Sequence, residues 1–289
     1  MDTLQKVIER FRLNVLSIED VPESYSSTVY KLQLVNKQNV YIKIPYTKQK
    51  LKREYHVLTK VHGIIDVPKV LDYWEGNESI TGAFLLEAIS GAPCLGEINE
   101  DLAYNIGVSH AKMHSVPVSI FDGEDHIEKL EPSEWRAFVL IKLNYFKQYA
   151  KKSLSEELFE TSVNYIENTL QLLPSPDGPA LIHMDFRPGN ILVQQNRVTG
   201  IIDFESTRIG STEIDFTKIN RDIWTKYPGT KEAYINGYNT IRPIIDLQQI
   251  LPFYAFYDAF CSIGWGEVRG AEKHQSFIDE NLALLKTMV

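Results

Sequence analysis

One stretch constrains this chain more than any other: LIHMDFRPGNILV, beginning at Leu181, followed closely by VTGIIDFE, ending at Glu205. Three short β-like runs, LIHM, NILV and GIIDF, are separated by turn-forming residues. Pro188-Gly189 forces one reversal and Gln195-Asn196 a second. The first run therefore delivers His183, Met184 and Asp185 onto a loop, and Asn190 opens the next strand. Gly200-Ile201-Ile202 then presents Asp203 at the end of the third run. Loops anchored by apolar strands hold their polar residues in place, as a catalytic site requires.

The remainder of the 289 residues divides into two patterns. Residues 2–12 place Leu4, Val7, Ile8 and Phe11 at helical spacing, and 27–35 (STVYKLQLV) and VYIKIP to Pro45 read as strands about the turn Asn36 to Asn39. A charged helix over 47–61 follows, then strands at 69–74 and 82–88. Ser90-Gly91-Ala92-Pro93 breaks this pattern, so 1–89 and 90–289 are expected as two domains. Beyond the break, helical periodicity dominates, at 99–115, 132–152, 155–173, 213–226, 229–239 and 268–287. The expectation is an α+β chain: a small sheet first, then a mostly helical part with a β insert.

Composition narrows the function. With 44% apolar and 24% charged residues the chain is too apolar to be disordered. Its net charge of −8 gives no reason to expect nucleic-acid or anionic-membrane binding. No apolar run reaches the roughly 18 residues of a membrane span, and MDTLQKVIERFRL lacks the apolar core of a signal peptide. Only Cys94 and Cys261 occur, outside any CxxC spacing, so a reduced, cytoplasmic setting is expected, with no obligate protein partner evident. Residues 1–89 are nearly balanced, with 12 basic and 11 acidic residues, so the acidic excess lies in the second part and suits a cationic small molecule.

Asp185, Asn190 and Asp203 form an all-oxygen donor set at the ends of neighbouring strands, the kind of set that suits Mg²⁺. A single Asp in such a loop commonly just caps a turn. The ordered combination H-x-D-x-x-x-x-N followed by I-I-D-F is not explained by turn capping.

HMDFRPGN and IIDFE resemble the catalytic and metal-binding segments of the aminoglycoside phosphotransferase and choline kinase-like family, and the likeness runs in order along essentially the whole chain. It implies a bilobal protein-kinase-like fold, with a small antiparallel-sheet N-lobe for nucleotide and a helical C-lobe for the acceptor. It implies ATP or GTP as co-substrate. Asp185 would accept or orient the proton of the attacking hydroxyl, with Asn190 and Asp203 holding Mg²⁺ on the phosphates. Arg187 stands where protein kinases carry a catalytic-loop lysine and would steady the transferred phosphoryl group, while His183 would tie the loop to backbone and Asp215 would support it. Lys43, central on an apolar strand, would pair with Glu54 and position the α- and β-phosphates.

Three places depart from the family pattern. The phosphate-covering loop, Glu23 to Thr28, has no glycine, so Ser26, Ser27 and Thr28 would supply the donors. Met184 and Glu205 stand where glycine is common. FLLEAISG reads as the hinge, with Leu86 bordering the purine and the backbone of Glu87 and Ile89 meeting its edge. His110 and His114, four apart, read as packed core histidines. For the acceptor, Asp258 and Glu267 are candidates among aromatic residues that suit an amine. The resulting reading is a small-molecule hydroxyl kinase acting on an aminoglycoside-like, amine-bearing antibiotic. A metabolic kinase for choline, an amino alcohol or a sugar is the alternative, and a nucleotide-binding pseudoenzyme is the reading from another class.

Overall fold

A computed structural model describes residues 3–21 and 26–288. Helix α1 (Thr3–Arg10) leads into a five-stranded antiparallel sheet of order β1-β2-β3-β5-β4. Its strands are β1 (Val15–Asp20), β2 (Ser27–Leu34), β3 (Asn39–Pro45), β4 (Val70–Trp74) and β5 (Ala83–Glu87), with α2 (Lys48–Val61) between β3 and β4. The period of two in β3 divides the work. Val40, Ile42 and Ile44 pack with Leu4, Val7 and Ile8 of α1 and with Ala83 and Leu85 of β5. Lys43 lies on the opposite face with α2. There Phe84 and Leu86 join Leu51, Val57, Leu58 and Val61. Four of the five strands match the sequence reading; β1 was not foreseen, because five of its six residues are exposed at the sheet edge and leave no buried alternation to read.

Residues 90–93, expected only to connect, also pair: β6 (Ala92–Pro93) lies antiparallel to β8 (Ile191–Gln194), which in turn pairs with β9 (Arg197–Ile201). The segment leaving the N-lobe is thereby joined to the hairpin between Asn190 and Asp203. A second two-stranded unit pairs β7 (Ala180–Ile182) with β10 (Arg208–Gly210). These short strands are the β insert expected between helices.

Helices make up the rest of the C-lobe: α3 (Glu100–His114), α4 (Pro132–Ala150), α5 (Glu156–Leu172), α6 (Asp215–Ile219), α7 (Thr230–Asn239) and α8 (Leu247–Met288). The single helix expected over 213–226 is a short α6 continued by a π turn, Asn220–Trp224. Backbones of α3 and α7 touch, since a Cβ on Gly107 would fall 2.1 Å from the Tyr234 carbonyl oxygen and one on Gly237 2.1 Å from that of Tyr104. Helix α8 begins about twenty residues before the expected 268 and is interrupted at Gly270, φ 104°. Its first half, PFYAFYDAFCSIGW, has no polar face because it is packed with α4 and α5 in one apolar cluster, so amphipathic periodicity does not mark it. No helix among the described residues is long and apolar enough to cross a membrane.

Candidate active site

Strand β7 ends at Ile182 and the chain turns at once into the loop of interest. The Asp215 carboxylate, at the start of α6, accepts the backbone N–H of His183 at 2.6 Å and of Met184 at 2.7 Å. Met184 adopts a left-handed φ of 68°, which explains physically why glycine is at home in that place. The His183 ring donates from Nε2 to the Ile202 carbonyl at 3.0 Å, which joins the Asp185 loop to the Asp203 loop. Burial would raise the Asp215 carboxyl, but the His110 and His114 imidazoles beside it hold it far below the usual range. The two histidines, expected as core, lie fully buried with Nδ1 against the Tyr234 and Tyr238 hydroxyls. Sequence distance concealed the acid they share, since Asp215 is about a hundred residues on.

Asp185 is held from several directions. Asn190 Nδ2 donates to its backbone oxygen at 2.9 Å and to its Oδ2 at 3.0 Å, Arg187 Nε donates to Oδ2 at 3.2 Å, and the Lys218 ammonium ion-pairs with Oδ1. Burial would raise this carboxyl, yet Lys218 and then Arg187 outweigh it and press it down to about 2. Lys218 went unrecognised in the sequence. The signal was its place three residues after Asp215, which puts both on one helical face.

The Lys43 ammonium closes the gap between lobes. It lies 2.7 Å from Glu54 Oε2 and 2.5 Å from Asp203 Oδ1, with Glu205 Oε2 at 4.0 Å. Burial would lower Lys43, but Asp203, Glu54 and Glu205 together hold it far above its ordinary value. Glu54 moves the other way from a simple ion pair: burial, supported by the neighbouring carboxylates, raises it despite Lys43. Asp203 itself sits at φ 72°, ψ 56°, a left-handed conformation that aspartate tolerates.

Glu205, read from sequence only as a departure, is a hub. Its buried carboxylate takes Lys50 at 2.8 Å and the Ser26 hydroxyl, and its carbonyl accepts Arg53 Nη1 at 2.9 Å. Oxygens of Glu54, Asp203 and Glu205 all lie within 4.8 Å of one another, and Glu205 Oε2 is buried without a hydrogen-bond partner. An all-oxygen set of this kind has the donor chemistry a hard divalent cation takes. Asn190 commits its amide nitrogen to Asp185, which leaves its carbonyl oxygen as the group a cation would use.

The three residues expected over the phosphates fall on both sides of a strand start. Ser27 and Thr28 are the first residues of β2, opposite Pro45 and Ile44, and of the three only Ser26 precedes the strand. Glu23, Ser24 and Tyr25 lie outside the described residues. At the hinge, Leu86 is buried on β5, and the Glu87 N–H is taken by the Lys69 carbonyl at 2.9 Å, so Glu87 has its carbonyl to offer a ligand. Ile89 packs against Gly200, where a Cβ would meet it at 2.7 Å. Among the acceptor candidates, Asp258 accepts from Arg221 Nη1 at 3.1 Å, whereas Glu267 is bound by the Ser153 hydroxyl beyond the end of α4. The structure brings Asp258 into the electrostatic surroundings of Lys218, and thus of Asp185. It brings no described contact between Glu267 and that group. Tyr254 and Tyr257 are core residues, donating to Glu213 and to the Val139 carbonyl.

Comparison with known proteins agrees with this fold. The chain is similar in structure to the GDP and kanamycin complex of APH(2")-IIia, with a TM-score of 0.76 at 17% identity over 99% of this chain and 97% of that one. It is similar to macrolide 2'-phosphotransferase MphH from Brachybacterium faecium, with a TM-score of 0.70 at 16% identity over 98% of each chain. A thermostable mutant of aminoglycoside phosphotransferase APH(4)-Ia, in a ternary complex with ADP and hygromycin B, gives 0.74 at 15% over 100% and 99%. No curated protein sequence matches the chain. The sequence profile described as the phosphotransferase enzyme family matches residues 17–253, and the chain belongs to that family.

Proposed function

We propose that this protein transfers the γ-phosphate of ATP or GTP to a hydroxyl group of a small molecule in a Mg²⁺-dependent reaction. The observation that carries the reading is the convergence of Asp185, Asn190 and Asp203, tied through His183 and Ile202, upon the Lys43–Glu54 pair of the N-lobe. Neighbouring structures with GDP, ADP, kanamycin and hygromycin B support a nucleotide and a small-molecule acceptor.

In this reading the acceptor hydroxyl sits against Asp185 and its oxygen attacks the γ-phosphorus as the bond to the bridging oxygen breaks. A carboxylate held down to about 2 is a weak base, so Asp185 orients the hydroxyl first and takes its proton only as the new bond forms. Arg187, on the same loop, moves from Asp185 to the transferred phosphoryl oxygens. Lys43, kept charged by its three carboxylates, takes the α- and β-phosphates while Glu54 holds it in place. Asn190 and Asp203 would hold Mg²⁺, which supplies charge neutralisation at the phosphates when bound. Backbone groups of the hinge near Glu87 and Ile89 would meet the purine.

A glycine-less loop is the feature that favours a nucleotide-binding chain without turnover, and the intact constellation weighs against it. Transfer of the γ-phosphate separates the two, and calorimetry with ATP and GTP, with and without Mg²⁺, tests the metal's part. Nucleotide affinity should depend on Mg²⁺ and lose that dependence in Asp203→Asn; affinity indifferent to both would remove the proposal.

A further inference from the structure

Lys218 and Arg221 stand three residues apart, on α6 and on the π turn that continues it. Lys218 ion-pairs with Asp185. Arg221 spans both oxygens of Asp222, from Nε at 2.9 Å and Nη2 at 3.1 Å, and reaches Asp258 Oδ2 from Nη1 at 3.1 Å. Burial alone would lower both cations, yet Asp185 and Asp258 hold Lys218 above its ordinary value, and Asp222, Asp258 and Asp185 do the same for Arg221. These groups therefore share one field with the carboxylate that meets the acceptor. None is sealed off: the Arg221 side chain is 32% exposed, Asp222 19% and Asp258 21%.

An ammonium group on the acceptor would need a carboxylate that lacks a cation. Both oxygens of Asp222 and one of Asp258 already accept from Arg221, and the guanidinium repels a second positive charge. We infer that Arg221 occupies the place of an acceptor cation and sets the charge class of the substrate, an uncharged polyhydroxyl compound such as a sugar or polyol. A hydroxyl both donates and accepts, so substrate hydroxyls can meet the lone pairs that Asp222 and Asp258 have left and the remaining N–H groups of Lys218 without adding charge. The π turn presents Arg221 to both acids, and such turns recur at functional sites. The inference rests on the phosphotransfer reading and deepens it.

Kanamycin, which carries several ammonium groups, is the probe. It is titrated by calorimetry into the whole chain, with and without the Mg²⁺ complex of AMP-PNP, for the native protein, Arg221→Met and Arg221→Gln. Cooperative unfolding curves verify that each variant is folded. The native protein should show no saturable binding at millimolar kanamycin, the variants should bind at least about tenfold more tightly, and adding Asp222→Asn should abolish that gain. Saturable binding to the native protein, or folded variants that gain none, overturns the inference. Failure of the native protein to bind AMP-PNP would instead defeat the phosphotransfer reading, and the nucleotide-free titrations would still decide the charge class.

Discussion

Acid should unfold this protein from within, and His110 provides a measurable share of the effect. Its ring is fully buried, and burial, followed by the neighbouring His114, depresses it from 6.5 to about 3. A base depressed in this way stays neutral in the folded chain while the unfolded chain takes up a proton. Its contribution to stability is therefore complete above pH 6.5 and is lost as pH falls from there toward 3. Each pH unit in that window costs about 1.4 kcal/mol, so His110 alone removes about 2 kcal/mol between pH 6.5 and 5. That is a large share of a typical stability of about 5–15 kcal/mol, and His114, shifted in the same direction, adds to it. His110→Phe keeps a ring against Phe186 and forfeits the contact with Tyr234, about 1 kcal/mol at neutral pH. Urea unfolding at pH 8, 6.5, 5.75 and 5 should therefore show native stability falling more steeply than that of the variant, with the gap closing or reversing by pH 5. Parallel curves for the two proteins would mean that His110 takes up no extra proton on unfolding.

Three further outcomes follow from the same contacts. Gly107→Ala should lower stability by about 2 kcal/mol or more, because its methyl group meets backbone of α7 that has no room to move, and a thermal melt checks it. Lys43→Met should destabilise the fold by about 3–5 kcal/mol, as it leaves buried Glu54 without its ammonium partner; lowering the pH toward 5 should recover part of the loss, since keeping Glu54 protonated then costs less. Lys218→Met should reduce kcat by about tenfold or more while leaving the nucleotide KM within about twofold, because the lysine steadies Asp185 and touches no nucleotide-side group. A rise confined to the nucleotide KM would place Lys218 elsewhere in the reaction.

Local chemistry decided which of these features could be read from sequence. Period-two strands and the Asp185–Asn190–Asp203 spacing were legible because apolar runs and turn residues mark them directly. Strand β1 was not, since an exposed edge has no inward-facing pattern, and the front of α8 showed core aromatics at helical spacing without the polar face that would mark where the helix starts. Lys218 and Glu205 escaped because their roles depend on partners far along the chain: Asp185 for the one, and Lys50 and Ser26 for the other. Asp258 shows the same limit from the other side. Its residue type suggested a cation site, and only the fold reveals that Arg221 already holds one of its oxygens.

Asp185, set against Asn190 and Asp203, is proposed to run a phosphoryl transfer. The most direct measurement follows the γ-phosphate of ATP and of GTP in the presence of Mg²⁺, with sugars, polyols, amino alcohols, aminoglycosides and macrolides as acceptors, for the native protein and Asp185→Ala. The native protein should give phosphorylated acceptor, the variant a rate lower by about 10²–10⁴, and both should bind nucleotide equally. A native protein that binds the Mg²⁺–nucleotide complex yet passes its γ-phosphate neither to an acceptor nor to water would contradict the proposal.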